Sequence, residues 1–193
     1  NFARLRTWRK MTMKIDFRTL RADEIDVRVG HISENGASLL LYKDARCDMS
    51  ILDEAVGATN WQRRHSRDNA NCTVSIWDEE KSQWIDKEDT GTESNTEKEK
   101  GLASDSFKRA CFNWGIGREL YTAPFIWIPA DHCTALRPNK DKWQCYDTFE
   151  VQKIIIENKK IVALAIRNTK TGKTCFIHQD KKWEAEQRVK QNA

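Results

Sequence analysis

Apolar and polar positions alternate along the chain in short strand-like runs, broken by two stretches at helical spacing. Residues 38–42 (Ser-Leu-Leu-Leu-Tyr) form an apolar run of strand length. Asp44 follows as an N-cap, Met49, Leu52 and Val56 recur at helical spacing, and Gly57 supplies a stop, so a helix is predicted between them. Three strand-like segments come next: Asn60 to Arg67, Cys72 to Trp77, and Gln83 to Asp89. The turn Asp78-Glu79-Glu80-Lys81-Ser82 joins the last two as a hairpin. A polar loop from Thr90 to Asn95, containing Gly91, leads to Thr96 and Glu99, which read as a capping box. The helix that this box opens runs to Trp114. It carries Ala103, Phe107, Ala110, Cys111 and Trp114 on one face and stops at Gly115.

Beyond Pro129 the pattern changes. Residues 131–146 read as a loop, with Pro138 and Asn139. Thr148 to Ile156, Ile161 to Arg167 and Lys173 to His178 read as a second meander, with Asn158 and Gly172 in its turns. The tail from Asp180 is short and charged, with helical character. A three-stranded meander needs its apolar face covered, and the long helix after it is the natural cover. The expected fold class is therefore α+β. It consists of a β-β-β-α core, an antiparallel meander packed on a long helix, with an additional C-terminal β-meander. The expected organisation is a basic N-terminal segment at 1–20, a core at 21–130, a linker at 131–146, the meander at 147–178 and a charged tail at 179–193. Residues 1–10 precede Met11 and Met13 and read as leader or added sequence. No internal repeat or low-complexity tract interrupts this order.

Composition adds little to that picture until charge is placed. The chain has 193 residues, 39% hydrophobic and 32% charged, enough apolar material for a core beneath a highly charged surface. Net charge is only +4, but Arg4, Arg6, Arg9, Lys10, Lys14, Arg18 and Arg21 stand against Asp16 alone at the start. No apolar run reaches the roughly 18 residues that a membrane helix needs, and no apolar stretch follows the basic start as in a signal peptide. A cytoplasmic protein is expected. Six cysteines (Cys47, Cys72, Cys111, Cys133, Cys145, Cys175) include no Cys-x-x-Cys pair, and His31, His65, His132 and His178 are scattered. Zinc sites usually draw ligands at short spacing, so packed free thiols and no metal site are expected.

Candidate chemistry centres on the long helix. At about 100° per residue, Lys108 and Arg109 lie more than about 100° from the centre of the apolar face. Asp105, Arg109 and Phe112 share the far side. Adjacent cations beside an aromatic suit a single nucleic-acid strand, because bases stack and phosphates attract ammonium and guanidinium groups. An Asp105–Arg109 surface pair, with Phe112 against a neighbouring subunit, accounts for the same residues and is the simpler account of this helix alone. Arg46 stands in the first turn of its helix, where a cation opposes the dipole at a cost of a few tenths of a kcal/mol. Either a site or a pairing with Asp44 or Asp48 explains it. In an extended strand Trp61, Arg63, His65 and Arg67 share one face. That face could track phosphates, although the charged solvent side of an edge strand is the favoured reading. Gly115-Ile-Gly117-Arg-Glu-Leu120 lacks the third glycine of a dinucleotide fingerprint and follows a helix, and no P-loop is present. Asp86, Glu88, Asp89, Glu93 and Glu97 with Lys98 could form a metal-dependent nuclease site, but their loop setting favours a solvated surface.

The run from Asp89 through Tyr121 resembles the signature of the Rad fifty-two superfamily of single-strand annealing proteins, closest to its phage Sak-like branch. The matching features are Asp89 and Gly91, the Glu-Lys pairs of residues 97–100, Asp105 with Lys108, Arg109 and Ala110, and Trp114 with Gly115. Upstream, Ala45-Arg46, Leu52-Asp53-Glu54-Ala55-Val56-Gly57 and Asn60-Trp61 are similar to that family's first helix and following strand. The resemblance covers roughly residues 36–128. It implies an oligomeric ring whose positive groove holds single-stranded DNA, backbone inward and bases outward, with Arg46, Lys108 and Arg109 in the groove. Better-known eukaryotic members carry a further basic residue three positions after the Lys-Arg pair, where this chain has Phe112. Phe112 is thus a stacking or subunit-contact candidate, and Arg63 and Arg67 complete the expected DNA-binding set. The expected function is ATP-independent binding and annealing of single strands in homologous recombination and DNA repair, without enzymatic activity or cofactor. The expected partners are single-stranded DNA, further copies of the chain and a single-strand-binding protein, in a bacterial or phage-infected cell. A metal-dependent nuclease of phage recombination and a recombination-mediator interaction protein are the alternatives.

Overall fold

In the computed structural model, which describes residues 15–92, 98–133, 136–139 and 142–191, the first strands are β1 (Ile25–Ser33) and β2 (Gly36–Lys43). Helix α1 (Ala45–Val56) follows, then β3 (Trp61–Ser66), β4 (Asn71–Asp78), β5 (Gln83–Thr90) and α2 (Lys98–Trp114). Strands β6 (Ile126–Pro129), β7 (Leu136–Asn139), β8 (Lys142–Cys145), β9 (Phe149–Glu157), β10 (Lys160–Asn168) and β11 (Thr174–Gln179) precede α3 (Lys181–Gln191). Every strand pair is antiparallel, so the chain is α+β as its pattern predicts. The described residues divide into two compact units, those up to 17 with those of 50–113, and those of 18–49 with those from 114 on. The predicted capping residue Thr96 and the basic segment before residue 15 lie outside the described residues.

In the first unit, β3, β4 and β5 form a three-stranded sheet in that order. One face aligns Trp61, Arg63 and His65 with Ile76, Val74 and Cys72, and these with Ile85, Lys87 and Asp89. Cys72, Val74 and Ile76 on the central strand are buried, as are Phe107, Ala110 and Cys111 of α2, the helix that covers this face. Trp61 stacks on Phe107 with ring centroids 6.2 Å apart, and its indole N–H donates to Asp53 Oδ1 (2.7 Å) at the end of α1. Each large apolar side chain removed from water here contributes roughly 1.5–3 kcal/mol. Strand β3 ends earlier than its pattern suggests. Arg67, Asp68 and Asn69 have φ of 50°, 50° and 70° and form the turn to β4, so Arg67 does not share the face of Arg63. Gly115, with φ of +102° and no atom within 4 Å of an added Cβ, terminates α2 in the left-handed conformation.

The second unit is built on a six-stranded sheet in the order β11-β10-β9-β1-β2-β6. The predicted C-terminal meander is present as β9 to β11, but it is not a separate element. Strand β9 pairs with β1 through Glu150 and Asp26, which makes the meander half of a larger sheet. Local pattern cannot report a pairing across more than a hundred residues. Strand β1 escapes the reading because its Ile25-Asp-Val-Arg-Val29 alternation breaks at Gly30-His31, and β6 because it is four residues long and closed by Pro129. Residues 131–146 are not a plain loop. They include the hairpin β7–β8, with Leu136 opposite Cys145 and Asn139 opposite Lys142. Pro138 is tolerated because each strand of this two-stranded sheet is an edge. Leu39, Ile126, Ile128, Ile161, Leu164 and Ile166 are buried. The same unit holds a buried Lys43–Asp48 ion pair, and the fully buried Glu119 accepts the Leu20 amide on Oε1 (2.7 Å). No described helix is long and apolar enough to cross a membrane.

Candidate nucleic-acid interface

The path from β5 to α2 fixes the site, and Asp89, Gly91 and Asp105 fix that path. Asp89 points to the helix side of the sheet, where Oδ1 accepts from Arg109 Nε (3.3 Å) and Nη2 (3.2 Å) and Oδ2 from Asn113 Nδ2 (3.3 Å). Gly91 then passes so close to α2 that a Cβ would lie 2.5 Å from the Ser106 amide nitrogen and 2.9 Å from the Leu102 carbonyl oxygen. Only glycine permits that approach. Thr92 donates its amide (2.9 Å) and its hydroxyl (3.2 Å) to Asp105 Oδ2. Lys87 donates to the Asn113 carbonyl (2.8 Å), one of the orphan acceptors at the helix end. The buried Ser106 hydroxyl donates to the Asn69 carbonyl (3.0 Å) on the opposite side. The Asp-x-Gly and Asp-x-x-Lys-Arg spacing is therefore a clamp that holds one strand and one helix in register.

This clamp leaves one sector of α2 outward. Lys108 and Phe112 are about 40° apart around the helix axis and Arg109 about 60° beyond Phe112. Lys108 is half-buried and makes no hydrogen bond or ion pair among the described residues. Arg109 is bound to Asp89 yet keeps 41% of its side chain exposed. Phe112 is half-buried. The Asp105–Arg109 surface pair does not form, because Asp105 is taken by Thr92 and Arg109 by Asp89.

The remaining predicted residues fall elsewhere. Arg63 is on the helix-facing side of β3, its guanidinium 4.8 Å from the centre of the Phe107 ring. Arg63 is itself exposed on the edge strand β3, and its guanidinium covers an aromatic core residue. Next to it, His65 Nδ1 lies 3.5 Å from Ser106 Oγ, and burial, with Arg63 adding to it, lowers the imidazole below its ordinary value. Arg67 is exposed in the β3–β4 turn. Arg46 belongs to the second unit and is 87% exposed. Asp44 caps α1 by accepting the Arg46 amide (2.7 Å) and pairs with its Nε and Nη2, both 3.1 Å, which raises the Arg46 pKa and offsets its misfit with the helix dipole.

The acidic cluster does not converge among its described members. Asp86 and Glu88 project from the face of β5 opposite Asp89. Glu88 accepts from Asn71 (2.9 Å) and Thr73 (2.8 Å), and these bonds, the Thr73 one foremost, lower its pKa. Glu93 and Glu97 lie outside the described residues. Among the described residues the group placed to share an ion is Cys133, Cys145 and Asp147, which sequence spacing alone does not bring together. Burial first, then Cys145 and Asp147, push the Cys133 thiol up to about 12. Comparison with protein-family models, with curated proteins and with solved structures returns no match to this chain.

Proposed function

We propose that this chain binds single-stranded DNA and anneals complementary strands without ATP, as a self-associating ring, in recombination and repair. The observation that carries the reading is the outward sector of α2. A cation without a partner among the described residues (Lys108), a second held in place by Asp89 (Arg109) and an aromatic (Phe112) stand together there. They stand on the helix whose motif resembles that of annealing proteins. Phosphate neutralisation along that sector would hold a strand extended and leave its base edges free. Duplex stacking, about 1.4 kcal/mol per step, then drives annealing with no bond chemistry. The apolar surface for self-association has candidates in Tyr121 (72% exposed) and Phe125 (78% exposed).

The test is annealing of two complementary oligonucleotides, followed by fluorescence without nucleotide or divalent cation. The wild-type chain accelerates pairing over the protein-free rate, and Lys108→Ala reduces that acceleration. No acceleration by wild type contradicts the proposal, as does DNA cleavage on adding Mg²⁺ or Mn²⁺.

A further inference from the structure

The second unit gathers two thiols and a carboxylate from residues 133–147 that belong to no part of the nucleic-acid interface. Cys133 follows the 3-10 turn Ala130–His132, Cys145 ends β8, and Asp147 precedes β9. One ligand atom from each lies within 4.8 Å of the other two. We propose that Cys133, Cys145 and Asp147 bind a zinc ion that pins the β7–β8 hairpin to the chain entering β9.

Tetrahedral zinc, with bonds of about 2.3 Å to sulfur and about 2.0–2.2 Å to oxygen, holds its ligand atoms about 3.3–3.8 Å apart. With all three atoms within 4.8 Å of one another, they need to close by no more than about an ångström to meet that geometry. The donor set suits the metal. Thiolates favour zinc over magnesium or calcium, and the carboxylate argues against cuprous copper, which prefers sulfur alone. The side chain of Asp147 has no exposed surface and stands beside the two thiols, where a shared cation would offset part of the cost of burying its charge. Lys170 Nζ stands 3.9 Å from Asp147 Oδ1 and would offset the net negative charge of two thiolates and one carboxylate around a divalent ion. As each S–Zn bond forms, the thiol proton passes to solvent. The Cys175 thiol, which donates to the Ile166 carbonyl (3.5 Å), is close enough to act on Cys133 electrostatically. The hairpin touches β1 but has no third strand, and a two-stranded pair is marginally stable in water, so a metal staple would add to its stability.

The test uses the full chain purified under reducing conditions. Bound metal is measured by mass spectrometry of the elements, and Co²⁺ is added as a spectroscopic substitute for zinc. The expected result is stoichiometric zinc and a thiolate-to-cobalt charge-transfer band, both lost in Cys133→Ser and in Cys145→Ser. If a serine variant does not fold, the wild-type protein still decides. Alkylation of Cys133 and Cys145 should be slow with zinc and faster after chelation, which releases both sulfurs from the metal. Wild-type protein that takes up neither metal overturns the proposal. So does zinc retained by both serine variants, alkylation unchanged by chelation, or a Cys133–Cys145 disulfide in protein isolated without reductant.

Discussion

Arg109 and Lys108 are neighbours with different duties. Arg109 is tied to Asp89 at 3.2 Å, so truncating it both removes a cation from the outward sector and strips a partner from a half-buried carboxylate. Lys108 has no such tie among the described residues. Arg109→Ala should therefore weaken DNA binding and lower the melting temperature together, whereas Lys108→Ala should weaken binding and leave melting unchanged; calorimetry beside a binding titration separates the two. His65 gives a second expectation. Its folded-state pKa is lowered, so below the ordinary imidazole value of about 6.5 the unfolded chain takes up the proton first. The stability that neutral His65 provides is present above that value and is lost as pH falls from it towards the folded-state pKa. Melting temperatures at pH 7 and pH 5 should show a smaller acid loss in His65→Gln than in wild type. Helical periodicity alone places Lys108 and Arg109 off the buried face of α2, but not the turn of Arg109 back to Asp89. The position of Arg63 over Phe107 was not legible either, because alternation says which residues share a strand face but not which face the helix will cover.

Elements that obey local rules were read close to their bounds. Helix α1 between Asp44 and Gly57, the strands β3 to β5 and the end of α2 at Gly115 follow from caps, turn residues and periodicity. The hairpin β7–β8 was not legible, since Pro138 argues against a strand unless the strand is an edge. At the β5–α2 junction, Gly91→Ala forces a Cβ against backbone rather than a flexible side chain. The expected cost is about 1–3 kcal/mol by chemical denaturation, typical of overpacking. A mutant as stable as wild type would refute the close approach. The Lys43–Asp48 pair joins the end of β2 to α1 with both side chains buried. Asp48→Ala removes the carboxylate paired with a buried ammonium and should cost about 3–5 kcal/mol, read from the same denaturation curves.

At the scale of the molecule, the first unit is a meander covered by one helix, and the second is a six-stranded antiparallel sheet with a hairpin and a terminal helix. The α+β class was legible because each strand run was short and bounded by turn signals. The joining of β9 to β1, and the meeting of Cys133 with Cys145 and Asp147, were not. Both depend on contacts that only the folded chain creates. The function proposed for the chain rests on the outward sector of α2, and its most direct test is the salt dependence of binding to a fluorescent single-stranded oligonucleotide. For wild type, log affinity should fall linearly with log salt concentration, and Lys108→Ala should bind more weakly with a slope shallower by about 0.7, the loss of one phosphate contact on a single strand. Equal affinity and equal slope in wild type and Lys108→Ala would contradict the account.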